Sequence, residues 1–250
     1  MMEIEGKDIK VSHLSDIINC SDTESNSRDM TSLLNIMGDV IVELTQKMRS
    51  PLSAVKLFAE LLYQDLDGDK QRIARNILVG VNSLDVILSN LLSFAQPVKP
   101  DFQRINLSEA IEESLSYSLP AIKQQNISLI RSFELNDMYC FADMEQIKQV
   151  FFNLILNAIQ AMPNGGELRI NASYTNDKRY INIEIKDSGC GVCAENMSRL
   201  FVPFFTTKEN DAGLGLCIVY KIIKAHNGEI QIKSVADCGT SVNFMLPAYF

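Results

Sequence analysis

The sequence predicts an α+β protein in two parts. An N-terminal helical hairpin pairs with a second copy as a dimeric four-helix bundle, and an α/β sandwich follows, with helices on one face of a mixed sheet. Three observations predict this. Apolar residues between 33 and 95 recur at alternating three- and four-residue steps, in two runs separated by one turn. Beyond residue 104, stretches of period two alternate with stretches of helical period. Between 143 and 166 a strongly helical stretch carries two asparagines four residues apart, an arrangement that costs local helix stability and calls for a use.

The chain has 250 residues, enough for one large or two ordinary domains. A net charge of −8 argues against coating nucleic-acid phosphates. The six cysteines, at 20, 140, 190, 193, 217 and 238, show no secreted disulfide framework. Cys190 and Cys193 form a single CxxC, which reads as structural or incidental without a second pair or a nearby His. There is no apolar run of about 20 residues for a membrane span, and MMEIEGKDIK lacks the core of a signal peptide. The expected location is cytoplasmic.

Residues 1–30 read as a lead-in or tether, polar and turn-rich at SDTESNSRD. The hairpin then occupies 31–97, with Thr31 or Ser32 able to cap its first helix. Its first seam runs through Leu34, Met37, Ile41, Leu44, Met48, Leu52, Val55, Ala59 and Leu62, and Pro51 inside it is expected to bend the helix. DLDGDK at 65–70 is the turn. The second seam runs through Ile73, Ile77, Val81, Leu84, Ile87, Leu88, Leu91 and Ala95, and Pro97 ends it. Two helices cannot bury seams this long, which argues for a homodimer; packing of the hairpin on its own C-terminal part is the alternative.

The second part spans 104–250. A helix is expected over 106–125 from an Asn-Leu-Ser-Glu cap, with strands at 127–133, 168–174, 180–186, 229–234 and 241–246, a short extended piece at 139–142 and a helix at 218–225. In DMEQIKQVFFNLILNAIQAMPNGG, residues Ile147, Val150, Phe151, Leu154, Ile155, Ala158, Ile159 and Met162 mark the apolar face. Asn153 and Asn157 stand one turn apart on one face, each with an amide oxygen and an amide nitrogen. Such oxygens can complete a magnesium shell made otherwise of water and phosphate; facing solvent or capping a loop is the alternative.

After the strand ending at Lys186 comes Asp187-Ser-Gly189-Cys-Gly191. Its glycines allow close backbone approach and its aspartate offers an acceptor to an exocyclic amine, although alone the pattern also reads as a turn. Lys208 to Leu216, KENDAGLGL, opens a helix, where Gly213 and Gly215 could present amides to phosphates on a glycine-rich lid.

In order and spacing, Asn153/Asn157, Asp187/Gly189/Gly191, LFVPFFTTK, Gly213/Gly215 and Gly239-Thr240 resemble the ATP-binding domain of sensor histidine kinases, within the wider Bergerat-fold ATPases. PFFTTK and NAIQAMPNGG look most like the nitrogen-regulator branch. LTQKMRSPLSAVKLFAE at 44–60 resembles the phosphoacceptor helix of the dimerisation and phosphotransfer domain, so the resemblance covers about 33–250. It implies a two-component signalling protein that binds ATP and magnesium. Asn157 would ligate the metal and Asn153 would lie by the phosphates. Asp187 would accept from the adenine amine, with Gly189 and Gly191 admitting the nucleotide. Lys208, Gly213, Gly215 and Leu216 would belong to the lid, and Thr240 would lie under the adenine.

One departure bears on mechanism. Where the family places its acceptor histidine this chain has Gln46, and the usual acidic neighbour is Lys47. A carboxamide nitrogen is not nucleophilic, because its lone pair is delocalised into the carbonyl, and a protonated lysine is no base. His13, in the lead-in, and His226, expected in a surface or capping role, do not fall at the acceptor position. A milder departure is Asp211-Ala212 in the lid, where a carboxylate aimed at phosphates would weaken binding. The first reading is a pseudokinase acting on a partner histidine kinase or a response regulator. The alternatives are a response-regulator phosphatase that uses Ser50, four residues beyond Gln46, and an active kinase carrying an engineered His-to-Gln change at 46.

Overall fold

The computed structural model describes the backbone of residues 24–133, 138–208 and 211–249, and within these the side chains from residue 41 onward except at 79, 82, 83 and 86. The lead-in at 1–23, with His13 and Cys20, and lid residues 209 and 210 lie outside the described residues. The described residues within 24–97 and 207–214 form one unit; those within 98–206 and 215–249 form the other.

In the first unit, helix α1 spans Glu24–Asp65 and α2 spans Gly68–Ala95. Helix α1 begins well before the expected Thr31 or Ser32, inside the stretch read as a tether, and it stays helical through Pro51. Leu66 and Asp67 alone separate the helices, and Gly68 takes a left-handed φ of 60° there. Ala59, Ala74, Val81 and Leu88 are buried, whereas Leu44, Met48, Val55, Leu62, Ile73, Ile77 and Leu84, all on the predicted seams, stay 40–59% exposed. A single hairpin therefore leaves most of its apolar seam in water, at a cost of roughly 25 cal/mol for every Å².

The second unit is built on a five-stranded sheet in the order β2-β4-β5-β7-β6. The strands are β2 Ile127–Ser132, β4 Gly166–Tyr174, β5 Tyr180–Asp187, β6 Glu229–Val235 and β7 Gly239–Pro247. Only the β2–β4 pair is parallel. A small antiparallel pair joins β1, Gln103–Asn106, to β3, Tyr139–Ala142. Strand β1 falls where no strand was expected, because in QRIN only Ile105 is buried and four residues show no period. A four-residue helix α5, Ala194–Met197, is likewise too short to read.

Helices α3 (Leu107–Gln124), α4 (Met144–Ala161) and α6 (Gly215–Ala225) cover one face of the sheet. Asn106 caps α3 by accepting from the Ser108 amide at 3.0 Å, as the Asn-Leu-Ser-Glu pattern predicts. Every apolar position predicted on α4 is buried, including Met162 just beyond its end. Phe151 lies at the centre of this core, fully buried with its ring 5.7 Å from that of Phe244 on β7. Phe151→Ala is expected to destabilise this unit by about 3–5 kcal/mol in denaturant titrations. A loss below about 1 kcal/mol would show that the layers do not meet there. Among the described residues, no helix is long and apolar enough to cross a membrane.

Candidate nucleotide site

Helix α4 places the two amides. Asn153 is 5% exposed among the apolar residues of its helix, and Asn157, one turn on, is half-buried. Across from them α6 begins: a methyl group built on Gly215 would sit 3.7 Å from Asn153 Oδ1 and 3.8 Å from Asn157 Nδ2. The amide pair and the start of the lid helix thus form one wall. Asn153 Nδ2 is buried with no hydrogen-bond partner among the described residues. A buried donor left unmade costs about 1–3 kcal/mol, so an external acceptor is the natural complement.

The residues expected on the adenine side converge through strand register. Asp187 ends β5, opposite Thr240 on β7. Its Oδ1 accepts from the Gly189 amide at 2.8 Å and from the Thr240 amide at 3.3 Å. The carboxylate is 7% exposed and held by backbone on both sides. Gly191 adopts φ 63°, and a methyl group there would lie 2.0 Å from the Val235 carbonyl oxygen. Gly239, at φ 94°, would place one 2.1 Å from the carbonyl oxygen of Asp187. Side chains are excluded at both positions, which presses the 187–191 loop against the β6–β7 turn.

Ser234 locks this contact. Its Oγ accepts from the Val192 amide at 2.9 Å and donates to the Gly239 carbonyl at 2.9 Å. The Thr240 hydroxyl, 2.8 Å away, therefore donates to Ser234, since a serine has one proton to give. Sequence reasoning missed Ser234. Its only signal is a small polar residue in a strand, which periodicity reads as an ordinary outward position.

Lys208 and Gly213 belong to the unit that contains the hairpin, so the predicted lid residues divide between units, with Gly215 and Leu216 in the sheet unit. Asp211 Oδ1 accepts from the Gly213 amide at 3.2 Å, closing a local turn within the lid. On the hairpin, Gln46, Lys47 and Ser50 are all exposed. Lys47 pairs with Glu43 at 2.6 Å, one turn back, with side chains 71% and 67% exposed.

His226 is not a surface residue. It is 1% exposed directly after α6, with Nδ1 2.8 Å from the Ile222 carbonyl, and Nε2 accepts from the Asp143 amide at 3.0 Å. Cys190, Cys193 and Cys238 are free and exposed, while Cys140 and Cys217 are buried; burial pushes the Cys140 thiol up to about 12. Among the described residues no cluster of three or more His, Cys, Asp or Glu could hold a metal.

Residues 142–249 match the family described as histidine kinase-, DNA gyrase B-, and HSP90-like ATPase, and residues 36–98 match the His Kinase A (phospho-acceptor) domain. The nucleotide-free catalytic domain of the histidine kinase ThkA is 32% identical, with a TM-score of 0.53 over 59% of this chain and 95% of that one. The chain belongs to the histidine kinase family.

Other histidine kinases extend the likeness over the hairpin. The signal transduction histidine-protein kinase AtoS of Escherichia coli K12 is 31% identical over 86% of this chain and 35% of its own length, so the chain spans about a third of that relative. ThkA in complex with the response regulator protein TrrA matches at 26% identity and TM-score 0.62, over 90% of this chain and 66% of that one. Full-length ShkA in complex with AMPPNP shares the fold, at 20% identity and TM-score 0.70 over 84% of this chain and 46% of that one.

The residues present fit a nucleoside triphosphate. The orphaned Asn153 donor suits a phosphate oxygen, and the glycine-lined loop beside Asp187 suits a flat base.

Proposed function

We propose that this chain is an ATP- and magnesium-binding histidine kinase core that does not phosphorylate itself at the usual place, and that it acts as a pseudokinase on a partner histidine kinase or a response regulator. The observation that carries the reading is the pairing of an unsatisfied, buried Asn153 donor with a hairpin whose acceptor position is Gln46. A bound triphosphate would supply a γ-phosphoryl group and its magnesium would offset the charge. Asn153 would donate to phosphate, Asn157 would ligate the metal, and Asp187 would accept from the adenine amine while two backbone amides orient it.

At the hairpin, transfer stops for a chemical reason. Gln46 has no free electron pair on nitrogen, and Lys47, paired to Glu43, is a cation where the family has a base. The exposed seam of α1 and α2 supports a homodimer in which a second hairpin covers Leu44, Met48, Val55, Ile73 and Ile77. Purified protein incubated with γ-labelled ATP is expected to acquire no acid-labile, base-stable phosphate. Appearance of such phosphate would overturn the reading.

A further inference from the structure

His226 lies outside the groups that would touch nucleotide, yet it ties together the two helices that form the amide wall. Helix α6 begins beside Asn153 and Asn157 and ends at Ala225, immediately before His226; α4 carries the asparagines and begins at its cap, Asp143. The helices therefore run antiparallel, with the imidazole joining the end of one to the start of the other. We propose that His226 is a positioning residue for the nucleotide site, fixing α6 against α4 so that Gly215 and the two amides keep their spacing. This rests on the nucleotide reading above.

The hydrogen bonds permit one ring form. A carbonyl faces Nδ1, so Nδ1 carries the proton, and an amide N–H faces Nε2, so Nε2 is bare. Asp143 is engaged on every side: its Oδ1 accepts from the Gln146 amide at 3.1 Å and its Oδ2 from the Asp101 amide at 3.0 Å. The cap cannot shift toward the ring or away from it without breaking one of these bonds. Protonating Nε2 would set one N–H against another and push the two helix ends apart. The charged group facing the ring from α4 is Asp143; the segment before β1 brings Asp101, bonded to it, and the uncharged edge of Phe102, 5.2 Å from the imidazole. Burial holds the histidine below its usual pKa, against the opposing pull of the Ile222 carbonyl and Asp143.

The test separates the two ring nitrogens. Glutamine at 226 can reach Asp143 with its amide oxygen and replaces Nε2; asparagine reaches only the Ile222 carbonyl and replaces Nδ1. Calorimetric titration of the whole chain with magnesium-ATP is expected to give similar affinity for the parent and His226→Gln, and affinity roughly tenfold weaker for His226→Asn. As pH falls from about 8 through the folded pKa of His226, which burial holds below the usual value of about 6.5, the parent should lose affinity relative to His226→Gln, a comparison that cancels the titration of ATP itself. A merely structural role would lower thermal stability in either variant without changing the affinity of folded protein. Equal affinities for parent and His226→Asn, or parallel pH profiles for parent and His226→Gln, would overturn the proposal. Failure of the parent to bind at all would instead remove the nucleotide reading.

Discussion

A Gln46→His, Lys47→Glu variant is expected to acquire acid-labile, base-stable phosphate from ATP, where the parent acquires none. The argument is local. Both positions are exposed on α1, so neither change disturbs packing. The imidazole supplies the missing nucleophile, and the glutamate supplies the acceptor that polarises it. Removing Lys47 also removes a surface pair with Glu43, worth little because both side chains are largely in water. A single Gln46→His change keeps a cation beside the nucleophile, so its labelling should be slower than that of the double variant by about 10²-fold or more. If the double variant binds magnesium-ATP and stays unlabelled, the block lies elsewhere than in the chemistry of these two side chains.

Asn153→Leu is expected to separate stability from binding. In the protein alone, Nδ2 of Asn153 is a buried donor without a partner, and a near-isosteric apolar side chain removes that cost. Stability should rise by about 1–3 kcal/mol, read as a Tm higher by roughly 2–10 °C. The same change deletes a donor to a charged phosphate, worth about 1.5–3 kcal/mol, so affinity for magnesium-ATP should fall by roughly 10- to 150-fold. Asn157→Ala should weaken binding to a similar extent by removing the proposed protein ligand of the metal. A lower Tm for Asn153→Leu, or unchanged affinity, would mean that the amide serves the fold instead of a ligand.

Acid should destabilise the fold through His226 in a defined window. The unfolded ring titrates near its usual value of about 6.5, and the folded one below it, because burial disfavours the imidazolium. Below the unfolded pKa the unfolded chain takes up the proton first, so stability falls as pH drops until the folded pKa is passed. Above the unfolded pKa both states are neutral and the histidine has no effect on pH dependence. In folded protein the proposed link between α4 and α6 persists through that window and weakens only as pH falls through the folded pKa, where the ring itself takes up a proton.

The long periodic elements were legible because burial on one face repeats along them. The apolar face of α4 and the run of β5 follow that rule, whereas the seams of α1 and α2 repeat in the sequence but stay largely exposed on the single hairpin. What escaped was short or depended on contacts distant in sequence. QRIN has one buried residue, and the early start of α1 lies in a polar stretch with no apolar period to mark it. His226 read as a surface or capping residue because nothing near it in sequence reveals Asp143, 83 positions away. Ser234 was equally silent, since its partners Val192 and Thr240 come from a different loop and strand. At the site, Asn153, Asn157, Asp187, Gly189, Gly191 and Thr240 were named from motif order, and register brings Asp187 and Thr240 together. The lid residues Lys208 and Gly213 fall in a different unit from Gly215, a division that motif order cannot express.

Titration calorimetry of the unmodified chain with ATP in the presence and absence of magnesium tests the account most directly. The expected result is saturable binding at one site per chain, tighter with magnesium, with no phosphate left on the protein afterwards. A flat titration at millimolar nucleotide, or stable phosphate on the hairpin, would contradict it.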